Sequence, residues 1–323
     1  EDAEHLARRH PEPPPGSADC LAAAGFTATP NGLRPIRPDA DAAPSLRWAI
    51  DIAATPGRWG AQWGGRHFAT SLARSLGRIG QPVAVDHRGA GSRATRAYDD
   101  VVLTIRGLYP VPPTPGVINL LWVISHPEDV TADELQGYDR VFAASPTWAE
   151  AQSRAWGVEV QPLLQCTDAA LFHPGRAEPE SGPAVLFVGN TRHSSRPVVD
   201  AALLAGADLA LYGTGWEETP AAGRVVGESV ANDQLGVLYA GAGVVLNDHW
   251  ADMRELGFVS NRLFDAVACG ARVLSDRVAG IEALFGDSVQ VFTEADDVAR
   301  LLASPERSWP ALDERLRNAE RVR

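Results

Sequence analysis

The residues best suited to chemistry lie in one run, Gly257-Phe258-Val259-Ser260-Asn261-Arg262-Leu263-Phe264-Asp265-Ala266-Val267-Ala268-Cys269-Gly270. Ser260 is an N-cap residue type, which would leave the amides of Asn261, Arg262 and Leu263 as donors at the positive end of a helix. Asn261 and Asp265 are four apart and so share one helical face. A phosphate seated on the helix end would then have a carboxylate one turn behind it, placed to hold sugar hydroxyls. Asp265 alone is equally compatible with a solvent-facing helix acid, but the small residues that follow it favour a buried helix.

Three more segments carry candidate groups. Gly189-Asn190-Thr191-Arg192-His193-Ser194-Ser195-Arg196-Pro197 follows an apolar strand and offers two guanidiniums and three hydroxyls. It suits a diphosphate and suits a solvated loop about as well. Gly57-Arg58-Trp59-Gly60-Ala61-Gln62-Trp63-Gly64-Gly65 joins a strand to a helix, the arrangement phosphate sites need. His126, in Ile124-Ser125-His126-Pro127, follows the most apolar strand of the first half and would point into a cleft.

Other patterns are weaker. Gly89-Ala90-Gly91-Ser92-Arg93-Ala94 fits a dinucleotide fingerprint, but it follows the second strand and lacks the acid about 20 positions on. Gly227-Glu228-Ser229-Val230-Ala231 lacks the last glycine of a nucleophile elbow. Asp39-Ala40-Asp41 sits in Pro-rich sequence rather than at a strand end, so no metal site is expected.

The elements that must position these groups alternate. Apolar runs at residues 47–53, 83–85, 101–105, 117–124, 140–144 and 158–160 read as strands, with helices at 66–77 and 147–156. After a turn-rich stretch, strands at 184–188, 209–212, 243–246 and 272–274 alternate with helices at 198–205, 233–240, 261–269 and 296–302. Continuous apolar strands between amphipathic helices predict parallel sheets covered on both faces. The expected fold is α/β, two Rossmann-like parallel-sheet lobes facing across a cleft. The expected organisation is a Pro/Ala-rich, largely irregular extension over 1–45, an amino lobe over 46–165 and a hinge over 166–183. A nucleotide-binding lobe over 184–305 and one helix over 306–323 complete it.

Composition narrows the chemistry. The 323 residues contain no lysine, which removes a Walker A site, a Schiff-base lysine and a kinase strand lysine. A net charge of −12 argues against nucleic acid or an anionic membrane as partner. Cys20, Cys166 and Cys269 are far apart, and no segment reads as a membrane span or signal peptide, so a cytoplasmic location is expected.

The order of features resembles the group-1 glycosyltransferases of the GT-B fold, especially the spore-maturation CgeB-like branch. The matching text is Phe187-Val188-Gly189-Asn190, Tyr212-Gly213-Thr214-Gly215-Trp216, residues 239–247 and the run from Ser260 to Gly270. Gly64-Gly65 resembles the family's acceptor-side glycine loop, and Cys166-Thr167-Asp168 with Phe172-His173-Pro174 its hinge. The resemblance implies retaining, metal-independent transfer of a sugar from a nucleotide-diphosphate sugar, a co-substrate rather than a bound cofactor. The acceptor would be a small molecule, glycan or natural product.

Carried over by position, His126, Asp265 and Arg196 are the catalytic candidates. Gly64, Gly65, Gly189, Asn190, Arg192, Arg196, Gly213, Asn247, Asp248, Ser260, Asn261, Arg262, Leu263 and Asp265 would bind the nucleotide sugar. Asp265 matches the second acid of the family's E-x7-E pair, which holds the ribose. The first acid is absent, since Gly257 stands at its position and Glu255 two residues earlier. The alternatives are a sugar-nucleotide 2-epimerase of the same architecture and a non-catalytic two-lobed binding protein.

Overall fold

The computed structural model describes residues 26–29, 32–35, 45–58, 60, 63–90, 93–191 and 196–323. The Asp39–Asp41 motif, Arg192 and parts of the two Gly-rich loops lie outside the described residues. An antiparallel hairpin, β1 (Phe26–Thr29) and β2 (Gly32–Pro35), stands where an irregular extension was expected. Thr29 pairs with Gly32, so only Pro30 and Asn31, both turn-favouring residue types, separate the two strands in the sequence.

The amino lobe contains β3 (Trp48–Ile52), α1 (Gly64–Arg78), β4 (Val83–His87), β5 (Val101–Arg106), β6 (Ile118–Val123), β7 (Arg140–Ala143), α2 (Pro146–Trp156) and β8 (Val160–Pro162). Its strands are all parallel and lie in the order β4-β3-β5-β6-β7-β8.

The carboxyl lobe begins with β9 (Val185–Val188), α3 (Pro197–Leu204), β10 (Leu209–Tyr212), β11 (Val225–Gly227), α4 (Asn232–Gly241) and β12 (Val244–Asn247). It continues with α5 (Ala251–Glu255), α6 (Asn261–Ala268), β13 (Val273–Asp276), α7 (Ile281–Phe285), β14 (Val289–Phe292) and α8 (Ala295–Ala303). This sheet is also all parallel, in the order β11-β10-β9-β12-β13-β14.

In each sheet the strand order reverses once, between β3 and β5 in the amino lobe and between β9 and β12 in the carboxyl lobe. Such reversals open a crevice at the carboxyl ends of the strands, where ligands bind.

The single carboxyl-terminal helix expected over 306–323 is two, α9 (Pro305–Ser308) and α10 (Leu312–Val322). Pro310 lies between them, and a proline inside a helix removes a backbone donor and clashes with the preceding turn. The break seats Trp309 in the core, where its indole N–H donates 3.1 Å to the Val273 carbonyl. Buried Arg315 of α10 donates through Nε to the Gly270 carbonyl at 3.0 Å. Its cation thus stands at the carboxyl end of α6, where the helix dipole favours it.

Part of the segment 253–258 crosses between lobes, with Leu256 packed against the amino lobe's core. Met253 and Phe258 belong by sequence to the carboxyl lobe, yet both are buried in the amino lobe's core. Phe258 meets Trp148 edge to face, with ring centroids 5.7 Å apart.

Candidate active site

A cleft of about 670 Å³ lies between the lobes. On the amino side it is lined by one stripe of α1, Gly64, Gly65, Phe68, Ser71, Leu72 and Ser75, together with Ile124. The hinge contributes residues 165–168, and the carboxyl lobe contributes the ends of β9, β10, β11 and the start of α6. The amino ends of α1 and α6 therefore open onto one cavity. Each presents amides that its helix cannot satisfy, and each favours an anion.

Around α6 the expected residues separate into those on the cleft wall and those behind it. Ser260, Asn261, Arg262 and Asp265 line the cleft, whereas Leu263 is fully buried and its amide donates to the Ser260 carbonyl at 3.0 Å. The amides of Asn261 and Arg262 have no acceptor among the described residues. Arg262 donates to Asn247 Oδ1 and to the Val188 carbonyl, both at 2.7 Å. Neither partner is charged, so this guanidinium brings a positive charge to the wall with no carboxylate bound to it among the described residues.

Arg196 differs. Its fork closes on both oxygens of Asp248, with Nε to Oδ2 at 2.8 Å, and its remaining nitrogen reaches the Asn190 carbonyl at 2.6 Å. It is 3% exposed and absent from the cleft wall. Where a direct contact with a diphosphate was expected, Arg196 and Asp248 stand as a neutral bracket behind the wall, tied to the loop after β9 through the Asn190 carbonyl. Asn247, fully buried, is likewise a support, accepting from Arg262 and donating to Ser275 Oγ at 2.9 Å.

Asp265 is 9% exposed, and its two oxygens accept from Thr167 Oγ1 at 2.6 Å and Asn261 Nδ2 at 3.0 Å. Burial pushes its carboxyl up to about 7, although both hydrogen bonds and nearby Arg262 work in the opposite direction. The hinge is tied from both sides, since Asp168 pairs with Arg74 of α1 at 3.1 Å.

On the other wall of the nucleotide side, Gly189, Asn190 and Gly213 line the cleft. Gly213 has φ +149, and a Cβ there would stand 2.1 Å from the Gly189 carbonyl oxygen, so only glycine lets the two loops meet. Asn190 Oδ1 accepts from the Thr214 amide at 2.9 Å, which fixes that meeting. His126 is placed apart from the lining. It has left-handed backbone at φ 50, and its ring lies 6.0 Å from that of Trp250 at the junction of the lobes.

Residues 228–232 after β11 line the cleft and were not singled out for ligand binding. Their signal, a weak strand followed by Gly227-Glu228-Ser229, was legible only as an imperfect hydrolase motif. His249, the only histidine downstream of Ser229 and weighed as its partner in that motif, sits in the run Asn247-Asp248-His249 that ends β12. Among the described residues no three His, Cys, Asp or Glu side chains group as a metal would need. Nor is any described helix long and apolar enough to cross a membrane.

Two parallel α/β lobes, each with its switch point on a shared cleft, are the GT-B architecture. Residues 192–323 match the family described as glycosyl transferase-like. That match lies in the carboxyl lobe, the half of the chain that carries α6 and its side of the cleft. Among solved structures it resembles AviGT4, a glycosyltransferase involved in avilamycin A biosynthesis, at 19% identity over 86% of this chain and 92% of that one, with TM-score 0.55. It also resembles sucrose-phosphate synthase from Thermosynechococcus elongatus, at 18% identity over 86% and 94% of the chains and TM-score 0.58. HepE from Anabaena, solved in complex with UDP and glucose, is similar at 14% identity over 86% and 95%, with TM-score 0.55. At these identities the likeness is one of fold. A search of the curated proteins finds no match.

Proposed function

We propose that the chain transfers a glycosyl group from a nucleotide-diphosphate sugar, seated on the carboxyl-lobe wall, to an acceptor presented by the amino lobe. The observation that carries this reading is the pair of helix amino ends, α1 and α6, facing one cleft whose lining includes Arg262 as its guanidinium. Departure of a nucleoside diphosphate develops negative charge on its phosphates. Preorganised amides, a helix dipole and a guanidinium stabilise that charge without reorganising during the reaction. The complex of HepE with UDP and glucose supports the choice of donor class.

The proposal extends to retention of anomeric configuration, to independence from metal and to the CgeB-like branch, each supported by the likeness of residues 257–270 to that family. In this reading Asp265 holds the ribose, Arg262 and the amides of Asn261 and Arg262 hold the diphosphate, and His126 approaches the sugar when the lobes close.

Thermal unfolding in the presence of UDP, GDP, dTDP and CDP tests the donor class, because a ligand that binds only the folded state raises the melting temperature. One of the four is expected to do so in the wild type and far less in Arg262→Ala. NMR of the product anomer and activity in EDTA decide the stereochemistry and the metal. The reading fails if none of the nucleotides shifts the transition.

A further inference from the structure

We propose that His249 is a positioning residue for the diphosphate site, holding the start of α6 through the backbone of Ser260. The inference rests on reading the cleft as a nucleotide-diphosphate site. The His249 side chain is fully buried behind the cleft wall. Its Nε2 accepts the Ser260 N–H at 2.9 Å, so that nitrogen carries a lone pair and the ring proton lies on Nδ1. Nδ1 is 2.6 Å from Asp276 Oδ1, and the other oxygen of Asp276 accepts the His249 backbone N–H at 3.1 Å. Burial alone would raise the Asp276 carboxyl, but these hydrogen bonds from His249 hold it below the usual carboxylate range. The ring is therefore fixed in one tautomer and one orientation.

This matters because α6 has no side-chain cap. Ser260 stands at the N-cap position, yet its hydroxyl makes no hydrogen bond to the helix amides. The first of the orphan amides, that of Ser260, is instead held from behind by His249. The chain then turns so that the next two amides, of Asn261 and Arg262, begin the wall facing the cleft. The preceding residues of the same strand end act in parallel, with Asn247 holding the Arg262 side chain and Asp248 holding Arg196. Of these three consecutive buried residues, Asn247 holds a side chain of the wall, Asp248 the bracket behind it, and His249 the wall's backbone.

The test uses calorimetry on the whole chain with UDP, GDP, dTDP and CDP, and with the corresponding nucleosides. His249→Asn keeps an amide N–H near the Nδ1 position for Asp276 and offers no acceptor to Ser260. His249→Gln places an amide oxygen near the Nε2 position. For the diphosphate that the wild type binds, H249N is expected to bind about tenfold more weakly, the effect of misplacing one charge-assisted hydrogen bond. Its affinity for the nucleoside is expected to stay unchanged, and H249Q is expected to remain within about threefold of wild type. Hydrogen exchange over residues 257–264 should quicken in H249N and not in H249Q.

The assignment is overturned if H249N binds the diphosphate as wild type does, if it loses nucleoside and diphosphate equally, or if H249Q loses as much as H249N. Should H249N fail to fold, H249Q still decides, since a folded glutamine variant without wild-type diphosphate affinity contradicts the role. If the wild type binds none of the four nucleotides, the nucleotide reading itself fails, and unchanged exchange at Ser260 in H249N would separately refute the grip on the helix.

Discussion

Ser145 and Gly257 meet across the boundary between the lobes. Ser145 Oγ donates 2.7 Å to the Leu256 carbonyl, and a Cβ on Gly257 would stand 3.0 Å from that same oxygen and 2.8 Å from Thr147 Oγ1. Gly257 also has φ +78, a conformation that side-chain-bearing residues adopt at a cost. The loop that carries Gly257 is therefore docked on the start of α2, and the close approach leaves no room there for a side chain. Gly257→Ala is expected to destabilise the chain by about 1–3 kcal/mol, from backbone strain and the close approach together. Urea unfolding measures it, and a loss near zero would show that the loop is not held there.

Phe258 makes the same junction hydrophobic. It is fully buried in the amino lobe's core, one residue beyond Gly257, so the two lobes share a cluster rather than a polar seam. Phe258→Ala should cost about 3–5 kcal/mol through lost burial and the cavity left behind. The wild type is expected to unfold in one transition and the variant in two, because the shared cluster is what couples the lobes. Calorimetry distinguishes the cases, and a single unshifted transition in the variant would contradict the coupling.

Much of this fold is legible in the residues because parallel strands buried on both faces are written as short continuous apolar runs. Val101 to Ile105 and Val185 to Val188 are examples. Strands whose burial is partial were not, as with Val225–Gly227, where Val226 is 61% exposed. The start of α6 was legible for a different reason, since an N-cap residue, a polar first turn and small residues after it leave few alternatives. Side-chain partnership was not legible. Arg196 and Arg262 are the same residue type on neighbouring loops, and only the three-dimensional structure shows that one meets a carboxylate and the other two neutral oxygens. The run Asn247-Asp248-His249 carries a usable signal, three polar residues that follow the apolar Val244-Val245-Leu246 of a central strand.

That difference between the two arginines predicts different failures. Arg196→Ala leaves the Asp248 carboxylate buried and unpaired, which is expected to cost about 3–5 kcal/mol of stability. Replacing both residues by apolar groups should restore much of that loss, because no orphaned charge remains. Arg262→Ala should instead cost less, about 1–2 kcal/mol for the neutral acceptors it leaves unpaired, and reduce nucleoside diphosphate affinity by about tenfold or more. Paired unfolding and calorimetric measurements on the variants check this. Equal losses of stability in R196A and R262A would remove the distinction between bracket and ligand group.

Asp265 ties the site to pH. Its carboxyl is raised from 3.8 to about 7, with burial as the main cause. Between those values the folded protein keeps a proton that the unfolded chain has released, so the unfolded state binds fewer protons and stability falls as pH rises. The contribution is complete below about pH 4 and is lost as pH climbs through about 7. Ligand binding should run the other way, because an ionised carboxylate accepts hydrogen bonds from sugar hydroxyls more strongly than a protonated one. Thermal unfolding from pH 5 to 9 is therefore expected to show a downward slope in the wild type that Asp265→Asn flattens, with the variant more stable on the alkaline side. Over the same range nucleoside diphosphate affinity should rise with pH in the wild type and stay level, and lower, in the variant. An identical pH slope of stability in the two proteins would show that Asp265 is not the buried proton holder, whatever its part in binding.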